Sequence, residues 1–269
     1  MTPSSDPAAL LDLAVATARE AGRLVADGRA GAYTVDVKSS SVDVVTAVDT
    51  ASERLIASRL LEARPDDGLL GEEGASREGT SGVRWVVDPI DGTVNFLYGL
   101  PAYAVSIAAE VDGEVRAGAV LNVATDELFT ATSGGGAHLH TPGRPPLRLG
   151  GSAPVSLEQT LVATGFGYQV EQRRAQAAVV AHLLPRVRDI RRYGSAALDL
   201  CSVAAGRVDA YYELHLNRWD YAAGALVAAE AGVVLTGLGG QPFAQPMAVA
   251  SAASVADAFL EMLEELHDA

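Results

Sequence analysis

Trp85-Val86-Val87-Asp88-Pro89-Ile90-Asp91-Gly92-Thr93-Val94-Asn95-Phe96 is the stretch on which the reading of this chain turns. An apolar run ends in two acids three residues apart, with a proline between them and Gly92-Thr93 directly after. Two unpaired carboxylates at the end of a buried strand each forfeit several kcal/mol of hydration unless something compensates them. A hard divalent cation does so, and oxygen-only ligands select Mg²⁺ or Mn²⁺ over softer metals. Gly92 and Thr93 then offer backbone N–H groups at a helix start, where an anion is favoured. Metal and phosphate at one turn point to metal-assisted phosphoryl chemistry.

Around this turn the pattern alternates between helix and strand. Residues 7–28 read as an Ala-rich amphipathic helix, with Asp6 as N-cap and Pro7 in the first turn. A second helix runs over 49–63, and the polar stretch 37–43 before it reads as a loop. Leu69-Leu70 and 84–87 are short strands, 103–111 and 114–121 a hairpin around Asp112-Gly113, and 126–131 a further strand. Gly134-Gly135-Gly136 and 141–146 are turn-rich connections. The second half gives strands at 160–164, 188–192, 208–213, 233–235 and 247–250. Its helices fall at 171–184, 195–205, 219–231 and 254–266. There is no internal repeat, and the expectation is one unit, 1–269, of two closely packed halves, 1–146 and 147–269.

Bulk properties narrow the class. With 269 residues the chain can bury a large core, and 49% apolar residues with 27 glycines suit a soluble α/β or α+β enzyme. The net charge of −14 argues against a nucleic-acid surface, which needs clustered Lys and Arg. The four arginines of 186–192 are expected on a solvated strand edge or an oligomer contact. The single cysteine, Cys201, allows no internal disulfide and sits in a helical pattern as a buried thiol. No leader-like or membrane-spanning run is visible, so a cytoplasmic protein without membrane contact is expected.

Asp88 and Asp91 need further oxygen ligands, since Mg²⁺ takes six. Glu72, in Gly71-Glu72-Glu73, follows an apolar pair at a strand end. Asp220 follows Trp219 at a helix start. Singly, Asp220 reads first as a helix N-cap and Glu72 as a solvated turn carboxylate, and Asp49 too can be an N-cap. As a set they are more specific. Lys-Ser-Ser-x-x-Asp-x-Val-Thr-x-x-Asp ending at Asp49, then Gly-Glu-Glu, then Trp-x-x-Asp-Pro-Ile-Asp-Gly-Thr-x-Asn-Phe, then Trp-Asp-x-Ala-x-Gly resembles the inositol monophosphatase family over about 36–235.

That resemblance implies a layered αβαβα sandwich, commonly a homodimer, with two or three Mg²⁺ ions that Mn²⁺ can replace and Li⁺ inhibits. It places Glu72, Asp88 and the Ile90 carbonyl at one metal, and Asp88, Asp91 and Asp220 at a second. Two such cations roughly 3.5–4 Å apart can clamp both oxygens of an in-line displacement. Thr93 matches the hydroxyl that orients the attacking water, Asp49 the acid bonded to it, and the Gly92 and Thr93 N–H groups the phosphate contacts. Lys38 matches a loop lysine near the site. The reaction implied is hydrolysis of a small phosphate monoester without a phospho-enzyme; His138, His140 and His215 show no ligand spacing and read as surface residues.

The substrate rests on the second half. Gly194-Ser195-Ala196-Ala197 and Asp209-Ala210-Tyr211-Tyr212-Glu213 are similar to the family's polyol-contacting segments. Glu213 can accept bonds from two vicinal hydroxyls, which favours inositol 1-phosphate; otherwise it is an acid ending an edge strand. The alternatives are a histidinol-phosphate or broad sugar-phosphate phosphatase, with no clear second basic cluster for a distal phosphate, or a regulatory scaffold that keeps the fold.

Overall fold

The computed structural model describes residues 5–31, 35–37 and 44–268. Two sheets alternate with three helical layers. In chain order the elements are α1 (Pro7–Ala30), β1 (Val35–Val37), β2 (Val44–Thr46), α2 (Ala47–Ala63), β3 (Gly68–Gly71), β4 (Ser76–Arg77), β5 (Val83–Asp91) and α3 (Thr93–Tyr98). The long antiparallel run follows: β6 (Ala104–Val111), β7 (Glu114–Asn122), β8 (Glu127–Thr132), β9 (Gly136–His140) and β10 (Leu147–Arg148). The second half holds β11 (Leu161–Thr164), α4 (Val170–Leu183), β12 (Asp189–Arg191), α5 (Ala196–Ala204), β13 (Ala210–Leu214), α6 (Arg218–Glu230), β14 (Val234–Thr236), β15 (Met247–Ser251) and α7 (Ala256–Asp268).

The large sheet has eight strands in the order β10-β9-β8-β7-β6-β5-β3-β4, the small one five in the order β12-β11-β13-β15-β14, and β1 and β2 form a separate antiparallel pair. Helices α1 and α2 bury Leu10, Ala14, Ala18, Ile56 and Leu60 against the outer face of the large sheet. Between the sheets, α5 and α6 contribute Ala197, Leu200, Cys201, Ala223 and Val227, packed on Val86 and Phe129 from one side and Tyr211 and Ala250 from the other. Helices α4 and α7 cover the far face of the small sheet through Val179, Leu183, Phe259 and Leu263. The small residues on α5 and α6 let a helical layer fit between two sheets. Gly118 of β7 shows how close the approach is: a Cβ there would lie 3.1 Å from backbone atoms of Ala223.

The glycine-rich connection at 134–136 and the turn at 141–146 flank a strand, β9, that the reading of turns concealed. Gly136 has φ +83° and opens it, and β9 pairs antiparallel with β8 and β10. Cys201 is buried, and burial pushes its thiol well up from its ordinary range. Among the described residues no helix is long and apolar enough to cross a membrane.

Candidate active site

The site forms where β3 and β5, parallel neighbours, end beside the start of α5 and α6. Register between β5 and β6 slips between Asp88 and Asp91. The slip is a bulge, and Pro89 fits there because it has no N–H to give a ladder. The bulge delivers both carboxylates to one cavity. Asp88 is 1% exposed and its Oδ1 accepts a hydrogen bond from the Ile90 N–H at 3.1 Å. Upstream, Trp85 is fully buried and its indole N–H donates to Asp67 at 2.9 Å, which pins the strand leading into the turn.

Asp91 is held from the other half of the chain. Ser195 Oγ donates to Asp91 Oδ2 at 2.5 Å and the Ala197 N–H donates to the same oxygen at 2.8 Å. Ser195 is also the N-cap of α5, its Oγ accepting from the Leu198 N–H at 3.3 Å. Asn95 on α3 donates to the carbonyls of Ala102 at 2.7 Å and Tyr193 at 2.6 Å, tying the metal-type turn to the approach to α5. Gly92 has φ +94°, and a Cβ there would meet the Ala102 and Gly194 carbonyls at 2.8 and 3.0 Å. Only glycine fits the step from β5 into α3.

Asp49 and Asp220 both occupy the third helical position of a capping box rather than the N-cap. Thr46 is the cap of α2, and its N–H donates to Asp49 Oδ2 at 2.9 Å, leaving Oδ1 3.0 Å from Thr93 Oγ1. Thr93 Oγ1 also lies 3.1 Å from the Ile90 carbonyl. At α6 the Asn217 N–H donates to Asp220 Oδ2 at 2.6 Å. In each case the box fixes one carboxylate oxygen and aims the other onward.

Glu72 follows β3, its N–H donating to the Val87 carbonyl at 3.3 Å. The loop after it is held by a residue with no sequence signature. Glu53 of α2, 3% exposed, accepts from the N–H groups of Glu73 and Ala75, both at 2.8 Å. Glu213 lies on β13, the middle strand of the five, not an edge strand. Tyr211, two residues earlier and so on the same face, donates to Glu213 Oε2 at 2.7 Å.

A cavity of about 920 Å³ joins these residues. Glu72, Asp88, Ile90, Asp91, Gly92 and Thr93 line one side, and Gly194, Ser195, Ala196, Glu213 and Asp220 the other. Asp49 stands behind Thr93. Lys38 lies outside the described residues. The cavity also takes in residues the sequence reading passed over. Phe166, Gln172 and Arg173 come from α4 and the loop before it. Arg192 belonged to a stretch read as strand edge, which holds for Asp189–Arg191 but not for Arg192 itself. His215, read as a surface residue, is exposed and lines the cavity with φ +64°.

The electrostatics are those of crowded acids. Burial, then repulsion from Glu72, Asp91 and Asp220, pushes Asp88 well above the carboxylate range. Burial raises Asp91 to about 7 against the opposing bonds from Ser195 and Ala197. Burial and Asp91 do the same to Asp220, and burial raises Asp49 and Glu213. Among the described residues no three Asp, Glu, His or Cys side chains close around one point as metal ligands. The donor set nonetheless fits a hard cation: oxygen only, with four carboxylates at one cavity. Glu72, Asp88, Asp91 and Asp220, with the Ile90 carbonyl, are the groups able to hold it.

A model of the inositol monophosphatase family matches residues 6–268. An inositol-1-monophosphatase of Mycobacterium leprae is 48% identical, with 98% of this chain and 97% of that protein aligned. The Nus factor SuhB of Escherichia coli K12 is 41% identical over 84% of each chain. The solved structure of Mycobacterium tuberculosis SuhB is 46% identical, covers 98% of both chains and superposes with a TM-score of 0.84. On the sequence match, the shared layers and the acid-lined turn, this chain belongs to the inositol monophosphatase family.

Proposed function

We propose that this chain is a Mg²⁺-dependent phosphomonoesterase that hydrolyses inositol 1-phosphate to inositol and phosphate. The observation that carries the reading is Glu213, set by Tyr211 on a central strand, in one cavity with Glu72, Asp88, Asp91 and Asp220. A carboxylate so placed accepts hydrogen bonds from two vicinal hydroxyls and fixes the polyol while its phosphate lies at the acidic end. Bound Mg²⁺ supplies charge neutralisation at the ester and a lowered pKa for the attacking water. Thr93, oriented by Asp49, accepts a hydrogen bond from that water and sets its line of approach. The Gly92 and Thr93 N–H groups hold the phosphate. Li⁺ inhibits, the protein is a cytoplasmic homodimer, and Mn²⁺ substitutes for Mg²⁺ in this reading.

The test is phosphate release with Mg²⁺ from inositol 1-phosphate, histidinol phosphate, fructose 1,6-bisphosphate and 3′-phosphoadenosine 5′-phosphate, each with and without Li⁺. A kcat/KM preference for inositol 1-phosphate, suppressed by Li⁺, upholds the proposal. Preference for histidinol phosphate keeps the metal chemistry and removes the polyol assignment.

The Nus factor name of the Escherichia coli relative favours a second reading, a regulatory protein on the same fold. A binding role has no use for a full set of acids, and Glu72, Asp88, Asp91 and Asp220 are all present here. Asp91→Asn separates the two: it ends turnover and leaves a surface-mediated role intact. Activity within tenfold of wild type would remove Asp91 from the chemistry.

A further inference from the structure

Helix α6 brings Asp220 to the cavity, yet the turn that holds this acid lies ahead of the helix's packed face. The buried residues of α6 begin at Ala222 and are small: Ala222, Ala223, Gly224, Val227 and Ala228. Small side chains allow close approach to the sheet but interlock little with it, so they fix the start of the helix weakly along its axis. The capping box of Asn217 and Asp220 joins neighbours within one turn and moves with that turn. Asp88 and Asp91, the acids that Asp220 must face, belong to β5 in the large sheet.

Glu110 of β6 ties the two together. It is 1% exposed, and each of its oxygens takes one guanidinium. Arg84 of β5, directly opposite in the ladder, donates from Nε to Glu110 Oε2 at 2.7 Å. Arg218, the first residue of α6, donates from Nε to Glu110 Oε1 at 2.7 Å. In each fork Nη2 also reaches the same oxygen, at 2.6 Å. The ladder of β6 with β7 slips between Ala109 and Glu110, a bulge of the kind that re-aims a side chain. Arg84, Val86 and Asp88 alternate onto one face of β5, with Glu110, Ala108 and Ser106 opposite them on β6. The Tyr221 ring, 5.1 Å from Arg218 Cζ, supports the guanidinium as well. A cation in the first turn opposes the helix dipole, so α6 itself gains nothing from an arginine there. A buried set of charges adds little to stability over apolar residues of the same volume. What it supplies is a fixed position.

We propose that Arg84, Glu110 and Arg218 form a clamp that holds the first turn of α6 to β5 and β6 and so sets Asp220 against Asp88 and Asp91. Glu110 and Arg218 are then positioning residues for the cation that these three acids share, which rests on the metal-dependent reading above. Arg218 lies two residues from Asp220 and outside the cavity lining, so it acts through the backbone and not by contact with the cation. Mg²⁺ demands near-ideal octahedral geometry, which makes its affinity sensitive to a small shift of one ligand.

Calorimetric titration of the full chain with Mn²⁺ alone tests it. Arg218→Met is the informative variant, because Glu110 keeps Arg84 and no buried charge is orphaned. Two classes of site are expected in wild type, and the class that Asp220→Asn weakens is the one this acid serves. Arg218→Met should raise the Kd of that class about tenfold, as loss of an outer partner of a metal ligand does. The other class should stay within about twofold of wild type. Glu110→Gln should act in the same direction. Arg207→Met removes a matched pair elsewhere, an arginine bonded to Glu127 at 2.9 Å with the Phe129 ring 5.6 Å from its Cζ, and should leave both classes as in wild type. Unchanged binding in Arg218→Met, equal weakening of both classes, or the same split in Arg207→Met overturns the clamp. Should wild type show fewer than two classes, the two-metal reading fails separately, and amide hydrogen exchange over 217–222 decides the clamp. Exchange about tenfold faster there in Arg218→Met, with 223–230 unchanged, upholds it, and equal rates overturn it.

Discussion

Ser195 and Asp91 join the two halves of the molecule through one hydrogen bond, 2.5 Å from Ser195 Oγ to Asp91 Oδ2. The acid ends a strand of the large sheet and the serine caps a helix that packs under the small one. Ser195, placed by its sequence among the polyol contacts, therefore spends its hydroxyl on orienting an acid. Removing it leaves Asp91 with only the Ala197 N–H and frees the carboxylate to turn. Ser195→Ala should raise the Mg²⁺ concentration for half-maximal activity about tenfold, as loss of an outer-sphere partner does elsewhere. Ser195→Thr, which keeps the hydroxyl and the cap, should restore it. A Mg²⁺ activation curve for Ser195→Ala that matches wild type would show that the bond does not set the ligand.

The raised acids give the metal-free protein a distinctive pH response. Asp91 titrates at about 7 in the folded chain and at an ordinary carboxylate value when unfolded. Between those values the folded state holds a proton that the unfolded state has lost, so this stability is complete at low pH and disappears as pH rises through 7. Asp88 and Asp220 act in the same direction. The lowered carboxylates, Glu20, Glu127 and Asp189, titrate below the ordinary range, and His140, lowered by burial, is the one described group that acts the other way inside the window, against the three acids. After chelation, the urea midpoint should fall between pH 5 and about 7.5, and saturating Mg²⁺ should raise it more at the upper end. A midpoint that is flat or climbs with pH would contradict the burial of these acids as charged groups.

Most of this architecture was legible because period and punctuation agree along the chain. Asp-Pro-Ile-Asp-Gly-Thr announces a strand end and a helix start in six residues, and the structure builds both, with a bulge between the two acids that the sequence did not announce. β9 was hidden because glycines that open a strand through a positive φ look the same as glycines that close a loop. The exact helix starts were hidden too: Asp49 and Asp220 sit at the third position of capping boxes, and sequence alone does not separate that from the cap itself. Arg192 and Glu53 lay beyond reach for a different reason. Each acts across the fold, Arg192 over Gly194 and Glu53 under residues 73–75, and no local pattern marks a side chain whose partner is set by tertiary packing.

Gly71 and Glu53 offer a test of such a long-range contact. A Cβ on Gly71 would come within 2.2 Å of Glu53 Oε2. The glutamate cannot swing aside freely, because it is buried and accepts the Glu73 and Ala75 N–H groups. Gly71→Ala should cost about 2–3 kcal/mol, the penalty for leaving buried donors unpaired, and should weaken Mg²⁺ activation by shifting Glu72. In a Glu53→Ala background the same substitution should cost under about 1 kcal/mol, since the clash is gone. Additive losses in chemical denaturation would mean that the two side chains act independently.

Glu213 carries the substrate assignment, and Glu213→Gln isolates the charge from the shape. The substituted side chain keeps the volume and can still accept from Tyr211, but its amide offers one acceptor oxygen where the carboxylate offers two. A polyol that uses both oxygens loses one bond and a charge-assisted component of the other, about 1.5–3 kcal/mol for bonds to a charged group. kcat/KM for inositol 1-phosphate should fall about 10–100-fold, while glycerol 2-phosphate, which presents no ring diol to that wall, should change by less than about threefold. The loss should appear chiefly in KM if the hydroxyls are held equally in ground and transition states, and in kcat if the ring is gripped only as the ester breaks. Equal losses on both substrates would make Glu213 a support for Tyr211 and the sheet, and the polyol would need another partner.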